Sequence, residues 1–167
     1  GGTRGFRSAQ GVIAAADAHP SGRLRGVVFP AQIDTVTPEL LRESAAYAAE
    51  TGRLFTTHIS QSVVEVREII RRHGVTSVRF ANDLGLLRAH TRSDLDILAA
   101  SGVSVAHCPQ PFARYGVAMN HVGRYMARGV TLGFGTDCAP HNVVEEMRLA
   151  IIAGRIVSED IHSVDTA

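Results

Sequence analysis

Short apolar runs alternate with longer stretches of helical periodicity along this chain. Five runs have the composition typical of strands and occupy residues 23–29, 54–58, 75–80, 103–108 and 130–134. Helices are predicted over 11–19, from Pro38 with Thr37 as N-cap, over 63–72 and after Asn142. Four helix-like segments, two of them further along the chain before residues 102 and 129, are each followed by a glycine, which supplies the left-handed residue that stops a helix. These glycines are at positions 52, 74, 102 and 129.

The spacing of these glycines favours repeated strand–helix units. Successive glycines are 22, 28 and 27 residues apart, and a (β/α)₈ barrel uses about 31 residues per unit. Strands separated by helices, without hairpin turns, pair in parallel through right-handed crossovers. The sequence therefore predicts an α/β fold, and it leaves open a piece of a barrel or a doubly wound sheet.

Composition narrows the class of protein. With 167 residues and 45% apolar content, the chain predicts one domain over 1–167. The net charge is +1 and the basic residues are scattered, which argues against binding to nucleic acid or anionic membranes and favours a small-molecule substrate.

Cys108 and Cys138 form neither a disulfide framework nor a structural zinc motif, so we expect a cytoplasmic protein. No apolar run is long enough for a bilayer span. The chain starts with Gly1 rather than Met, and its first residues do not resemble a signal peptide. We therefore expect that the sequence begins inside a longer gene.

Two polar residues follow predicted strands where an active site would lie. His58 ends one strand and Asp137 comes just after another. The C-terminal ends of parallel barrel strands form the rim of the active site, so the two side chains are predicted to lie at the same active-site rim. The alternatives are structural: His58 as a capping or core residue, and Asp137 as a turn former or N-cap.

Further histidines are weaker candidates. His107 and Cys108 are neighbours on one strand, so they face opposite sides and at most one of them faces the site. We expect a buried Cys108 and a supporting His107. His73 is predicted in the last turn of a helix, where a cation suits the helix dipole. The chain has no G-x-S-x-G elbow, Walker sequence or G-x-G-x-x-G fingerprint.

Several motifs together resemble those of one enzyme family. They are Thr57-His-Ile-Ser-Gln-Ser62, Leu84-Gly-Leu-Leu87, Ala106-His-Cys-Pro109, Gly133-Phe-Gly-Thr-Asp137 and Glu145-Glu-Met-Arg148. Their order and spacing resemble the amidohydrolase superfamily, in its branch of chlorohydrolase, cytosine deaminase and guanine deaminase-like enzymes. The resemblance runs from about Arg23 to Arg155.

The resemblance implies a (β/α)₈ barrel that holds one divalent metal ion. Such enzymes bind the metal through an H-x-H on strand one, a histidine after strand five and an aspartate after strand eight. By resemblance His58 is the strand-five ligand, and Asp137 is a ligand that also takes a proton from the metal-bound water. Zinc is the expected metal, with iron as the alternative. Imidazole and carboxylate ligands suit a cation that generates hydroxide near neutral pH.

The chain departs from the family pattern in three places. It contains no H-x-H, which would lie upstream of Gly1. The family has H-x-x-E after strand five, but here the acid is replaced by Gln61, whose amide cannot shuttle a proton. A strand ending in histidine is missing between Leu87 and Arg88, and His90 is assigned as a rim residue that contacts substrate.

We therefore expect the C-terminal portion of a (β/α)₈ barrel, without strand six, from a metal-dependent hydrolase. Its substrate would be a small cyclic amide, amidine or aminated heterocycle with a non-peptide carbon–nitrogen bond. Asp137 and Gln61 are the catalytic candidates, and Gln61 would also hold the substrate. A partial barrel leaves apolar residues without partners, so a homo-oligomer is expected. The alternatives are an inactive barrel scaffold and a doubly wound small-ligand-binding domain in which Asp137 caps a helix.

Overall fold

The computed structural model describes residues 2–87, 89, 91, 93–118 and 122–164. This part of the chain contains helices and two short strands, and it divides into two compact units, Gly1–Asp94 and Leu95–Ala167. The helices are α1 Gly2–Asp17, α2 Pro38–Glu50, α3 Val63–His73, α4 Ser77–Asp83, α5 Asp94–Ser101, α6 Pro109–Arg114, α7 Val122–Ala127 and α8 Val143–Ser158, and the strands are β1 Ser104–His107 and β2 Thr131–Phe134.

In the first unit two extended segments run parallel to each other. Val28 bridges Phe55, and Gln32 bridges His58. The N–H of Val28 donates to the carbonyl of Leu54 at 3.0 Å. The predicted strand at 54–58 is thus present as two isolated bridges rather than as a continuous ladder.

Helices cover one face of this parallel pair. A buried cluster consists of Ile13 from α1, Ala48 from α2 and Val28 from the first extended segment. Tyr47 and Phe55 pack against this cluster. The cluster is the apolar contact that attaches the two helices to the extended segments.

The prediction of a buried strand over 23–29 was wrong for most of its length. Only Val28 of this run forms a bridge, and Leu24, Val27 and Phe29 are exposed. The run is apolar on both sides, but helices cover only the side to which Val28 points.

The predicted helix boundaries are confirmed where capping chemistry is strong. Thr37 caps α2 by accepting the N–H of Leu40 at 3.3 Å, and Pro38 occupies the first turn. Gly74 ends α3 with a φ of 72°, a conformation that side-chain-bearing residues avoid. The glycines at 52, 102 and 129 also have positive φ, at 65°, 63° and 73°.

The predicted strand over 75–80 was wrong, because this segment forms helix α4. Thr76 is the N-cap and accepts the N–H of Arg79 at 3.2 Å. The ring of Phe80 stacks on His73 in the last turn of α3, with centroids 3.9 Å apart. The β-branched Val75 and Thr76 suggested a strand, but they lie in the connection and the cap rather than inside an element.

The second unit contains a parallel pair with a continuous ladder. Strand β1 pairs with β2 in a register that runs from Ser104 opposite Thr131 to His107 opposite Phe134. Helices α6 and α7 lie between the two strands in sequence. The strands predicted over 103–108 and 130–134 are confirmed.

The α/β class and the parallel pairing are therefore confirmed. The residues at which strand six was predicted to be missing include Arg88, which lies outside the described residues. The single domain over 1–167 stays a prediction. Among the described residues, no helix combines the length and the apolar character needed to cross a membrane.

Two neighbouring isoleucines of α3 test the packing of this helix. Ile69 is fully buried and Ile70 is 46% exposed. We expect Ile69→Ala to lower the free energy of unfolding by about 2–5 kcal/mol, because it removes buried methyl groups and leaves a cavity. Ile70→Ala should cost less than about 1 kcal/mol. Urea titration followed by circular dichroism measures both, and equal losses would contradict the burial of Ile69.

Candidate functional site

His58 is held by one backbone carbonyl at the end of its parallel segment. Its N–H donates to the carbonyl of Ala31 at 2.9 Å, and its ring Nδ1 lies 3.0 Å from the same oxygen. A carbonyl only accepts, so in the neutral ring Nδ1 carries the proton and Nε2 keeps its lone pair. Histidines that bind metals usually have one ring nitrogen engaged in this way.

The alternation of the segment places His58 on the face that the helices leave uncovered. Phe55 contacts the α1–α2 cluster, whereas Leu54, Thr56 and His58 are exposed. The ring of Phe29 meets that of His58 edge-on, with centroids 5.2 Å apart. The imidazole therefore lies on an open surface next to apolar side chains.

The loop after His58 is held by a residue that sequence analysis missed. The carboxylate of Glu65 accepts the N–H of Ser60 at 3.1 Å and that of Gln61 at 2.8 Å. Glu65 is only 1% exposed, and its own N–H donates to the Ser62 hydroxyl at 3.1 Å. The pattern Ser62-x-x-Glu65 is that of a capping box, which could have identified this residue.

Asp137 lies three residues beyond the end of β2, in a turn with a φ of 51°. The carbonyl of Thr136 accepts the N–H of Cys138 across this turn. Arg114 donates to the carbonyl of Ala139 at 2.7 Å, and the Thr136 hydroxyl lies 3.0 Å from Nδ1 of His141. Backbone and side-chain contacts on both sides thus hold the turn.

The carboxylate of Asp137 is exposed and makes no hydrogen bond or ion pair within the described part of the chain. The alternative that Asp137 caps a helix was wrong. The N-cap of α8 is Asn142, whose side chain accepts the N–H of Glu145 at 3.3 Å. The oxygens of Asp137 are therefore available to a ligand.

His107 is buried at the end of β1, with an exposure of 5%. Burial lowers the pKa of its imidazole, and the negative charge of Glu146 partly opposes this shift. The rings of Phe112 and Phe134 lie 6.2 and 6.3 Å away. A neutral imidazole in this apolar setting suits a supporting role.

Glu146 is a second buried carboxylate, with an exposure of 1%. It accepts the N–H of Gln110, in the first turn of α6, at 2.9 Å. Sequence analysis named Glu146 only as part of the motif Glu145-Glu-Met-Arg148 and gave it no role. Its burial depends on the packing of α8 against α6, which no local pattern reveals.

Cys108 is half-buried. Burial raises the pKa of its thiol, and the charges of Asp137 and Glu146 raise it further. A thiol that keeps its proton is a poor metal ligand at neutral pH. This agrees with a structural Cys108.

The predicted site residues are divided between the two units. His58 and Gln61 belong to the first unit, and His107 and Asp137 to the second. His90 lies outside the described residues. The described residues contain no group of three or more His, Cys, Asp or Glu that could hold a metal ion, and the convergence of His58 and Asp137 stays a prediction.

The parallel pairing in both units, with helices between the paired segments, defines an α/β protein. The model of the Amidohydrolase family matches residues 8–164. The chain belongs to the amidohydrolase family.

Its relatives include named deaminases. The 5-methylthioadenosine/S-adenosylhomocysteine deaminase of Natronomonas pharaonis is 31% identical over 172 aligned positions, which cover 95% of this chain and 40% of the relative. The corresponding protein of Haloarcula marismortui is 33% identical, with 89% of this chain and 38% of the relative covered. The chain thus spans about 40% of the length of these curated relatives.

Solved structures show the same fold. An adenosine deaminase from Xanthomonas campestris with bound zinc matches with a TM-score of 0.81 and 21% identity, over 96% of this chain and 39% of that one. An amidohydrolase from Brucella melitensis matches with a TM-score of 0.83 and 19% identity, over 99% and 38%.

The environment of His107 predicts how it titrates. Its pKa should lie below the ordinary histidine value of about 6.5, and Glu146→Gln should lower it further because the opposing negative charge is lost. The control Glu145→Gln changes an exposed neighbour and should leave it unchanged. Two-dimensional ¹H–¹³C NMR of the histidine rings from about pH 4 to about pH 8, which spans the usual histidine range, measures each value. A His107 pKa at or above about 6.5 would contradict this prediction.

The same shift sets the sign of the pH effect on stability. The folded pKa of His107 lies below the unfolded value of about 6.5, so the unfolded state binds the proton more readily. The contribution of this residue to stability is therefore complete above about pH 6.5 and declines as the pH falls below it.

Proposed function

We propose that this chain forms part of a metal-dependent hydrolase that breaks a carbon–nitrogen bond in an aminated heterocycle. The observation that carries the proposal is the contact between Nδ1 of His58 and the carbonyl of Ala31. This contact leaves Nε2 as a lone-pair donor on an exposed face, next to a loop with a further polar residue, Gln61.

The proposed substrate class follows from the relatives. They are named as deaminases of 5-methylthioadenosine, S-adenosylhomocysteine and 5'-deoxyadenosine. These compounds share an adenine ring with an exocyclic amine, which is one of the aminated heterocycles expected from the sequence. We therefore favour an adenine nucleoside over a cyclic amide.

The donor chemistry of the chain fits a divalent cation, with zinc favoured. His58 would contribute Nε2 and Asp137 a carboxylate oxygen, and the remaining ligands would come from residues beyond these two. When bound, such a cation lowers the pKa of its water toward neutrality and supplies a nucleophile. Asp137 would accept the proton from that water, and Gln61 would hydrogen-bond the substrate ring.

The finer architecture is part of the same proposal. We place the chain in the C-terminal portion of a (β/α)₈ barrel, in which the uncovered face of the first unit points toward the barrel interior. The exposure of Val27, Phe29 and Leu54 on either side of the parallel pair supports this placement. A second copy or further barrel strands would cover these side chains.

A second candidate is an inactive scaffold of the same family, and Gln61 favours it. Deamination needs a group that protonates the ring nitrogen or the departing amine, and an amide cannot do this. Glu65 does not substitute for the missing acid, because both of its oxygens accept main-chain N–H groups.

Metal binding separates the two candidates. We expect the chain to take up one zinc ion per molecule, and we expect His58→Ala and Asp137→Asn each to weaken zinc binding at least about 100-fold, because each removes a ligand. The control His162→Ala removes an exposed histidine outside the site and should bind as the unchanged chain does. Zinc titration with a chelator competitor measures the affinity. A folded chain that takes up no zinc would support the scaffold.

The role of Gln61 can be tested by restoring the acid. We expect Gln61→Glu to raise the release of ammonia from 5-methylthioadenosine by about 10²–10⁴-fold, because a carboxyl group can transfer a proton and an amide cannot. The control Gln10→Glu makes the same chemical change on α1. An ammonia assay on the zinc-loaded protein measures the rate. If Gln61→Glu is no faster than the unchanged chain, the proposed position of residue 61 beside the substrate ring is wrong.

A further inference from the structure

We infer that Glu65 is a positioning residue, whose buried carboxylate fixes the loop after His58 and thereby presents Gln61. The inference rests on the proposed function for the role of Gln61, but the contacts that support it belong to the fold itself. Glu65 is 1% exposed, and burial of a carboxylate is unfavourable unless hydrogen bonds compensate it.

The compensation comes from main-chain groups of the loop. The two oxygens of Glu65 accept separate N–H groups, from Ser60 at 3.1 Å and from Gln61 at 2.8 Å. Hydrogen bonds to a charged acceptor are stronger than neutral ones. The N–H groups of two adjacent residues therefore compensate the burial of this carboxylate.

The loop has a conformation that requires such support. Ser60 has a φ of 58°, in the left-handed region that residues with side chains disfavour. A segment in this conformation relaxes unless its surroundings hold it. The bond from Glu65 to the N–H of Ser60 acts directly at the strained residue.

The carboxylate of Glu65 also joins the loop to helix α3. Glu65 lies in the first turn of α3, and its N–H donates to the hydroxyl of Ser62, the N-cap. At the other end of the loop, His58 is fixed by the carbonyl of Ala31. Gln61 thus lies between two anchored points, and the bond to its own N–H fixes the backbone from which its side chain extends.

The first test measures the loop directly. Glu65→Gln places an amide NH₂ against one of the two N–H donors, so one hydrogen bond is lost. We expect amide exchange at Ser60 and Gln61 to accelerate at least about 10-fold, with α2 unchanged. Hydrogen exchange followed by NMR measures this. The control Glu68→Gln makes the same substitution on α3 and breaks an exposed ion pair with Arg71, and it should leave the loop unchanged.

Two results of this experiment would overturn the inference. One is unchanged exchange at Ser60 and Gln61. The other is uniform acceleration through the first unit, which would mean that Glu65 only stabilises the fold. If Glu65→Gln does not fold, Ser62→Ala removes the hydroxyl that accepts the N–H of Glu65. It should accelerate exchange at Ser60 and Gln61, in addition to the Glu65 amide that loses its own acceptor. A failure of Ser62→Ala to do so overturns the inference as well.

The second test asks whether Glu65 acts through Gln61. With 5-methylthioadenosine as the probe, we expect Glu65→Gln to raise KM in the unchanged background and to have no further effect in a Gln61→Ala background. Independent effects in the two backgrounds would overturn the inference. If the zinc-loaded chain shows no turnover, the proposed function fails, and the exchange experiment still decides the role of Glu65.

Discussion

The carbonyl of Ala31 accepts two hydrogen bonds from His58, one from its N–H and one from its ring. The first bond belongs to the parallel pairing of the two extended segments, and the second sets the tautomer of the imidazole. A shift of either segment by one residue would exchange the covered and uncovered faces and turn His58 toward the helices. The strand register and the chemistry of the site are therefore set by the same contact.

Buried carboxylates have a similar part in both units. Glu65 and Glu146 are each 1% exposed. Near the end of a parallel segment, Glu65 accepts two main-chain N–H groups and Glu146 accepts one. A carboxylate in this setting is stabilised only while its donors stay in place. The loops at the ends of these segments are consequently held by charged hydrogen bonds, in addition to apolar packing.

Under the proposed function, the substitution of Gln61 for an acid would separate metal chemistry from deamination. Nε2 of His58 and the carboxylate of Asp137 suit a cation, whereas an amide at position 61 cannot transfer a proton to the leaving amine. The chain belongs to the amidohydrolase family, and the resemblance to that family implies an acid where Gln61 stands.

Local chemistry determined much of this protein from the sequence alone. Thr37 with Pro38 specified the start of α2, Gly74 the end of α3, and the alternation of strand-like and helical runs the α/β class, because caps, left-handed glycines and periodicity act within a few residues. The motifs around His58 and Asp137 identified the family. The same local reasoning failed at Val75 and Thr76, where β-branched residues form a connection and a cap instead of a strand.

Only the tertiary structure decided which polar groups are buried and which faces are covered. Glu146 became a buried acceptor because α8 packs against α6, and His58 became exposed because the helices cover the opposite face of its segment. Burial depends on neighbours that are distant in sequence, so periodicity within one element cannot assign it. The physical reason is that desolvation is a property of the packed assembly, whereas capping is a property of a single turn of chain.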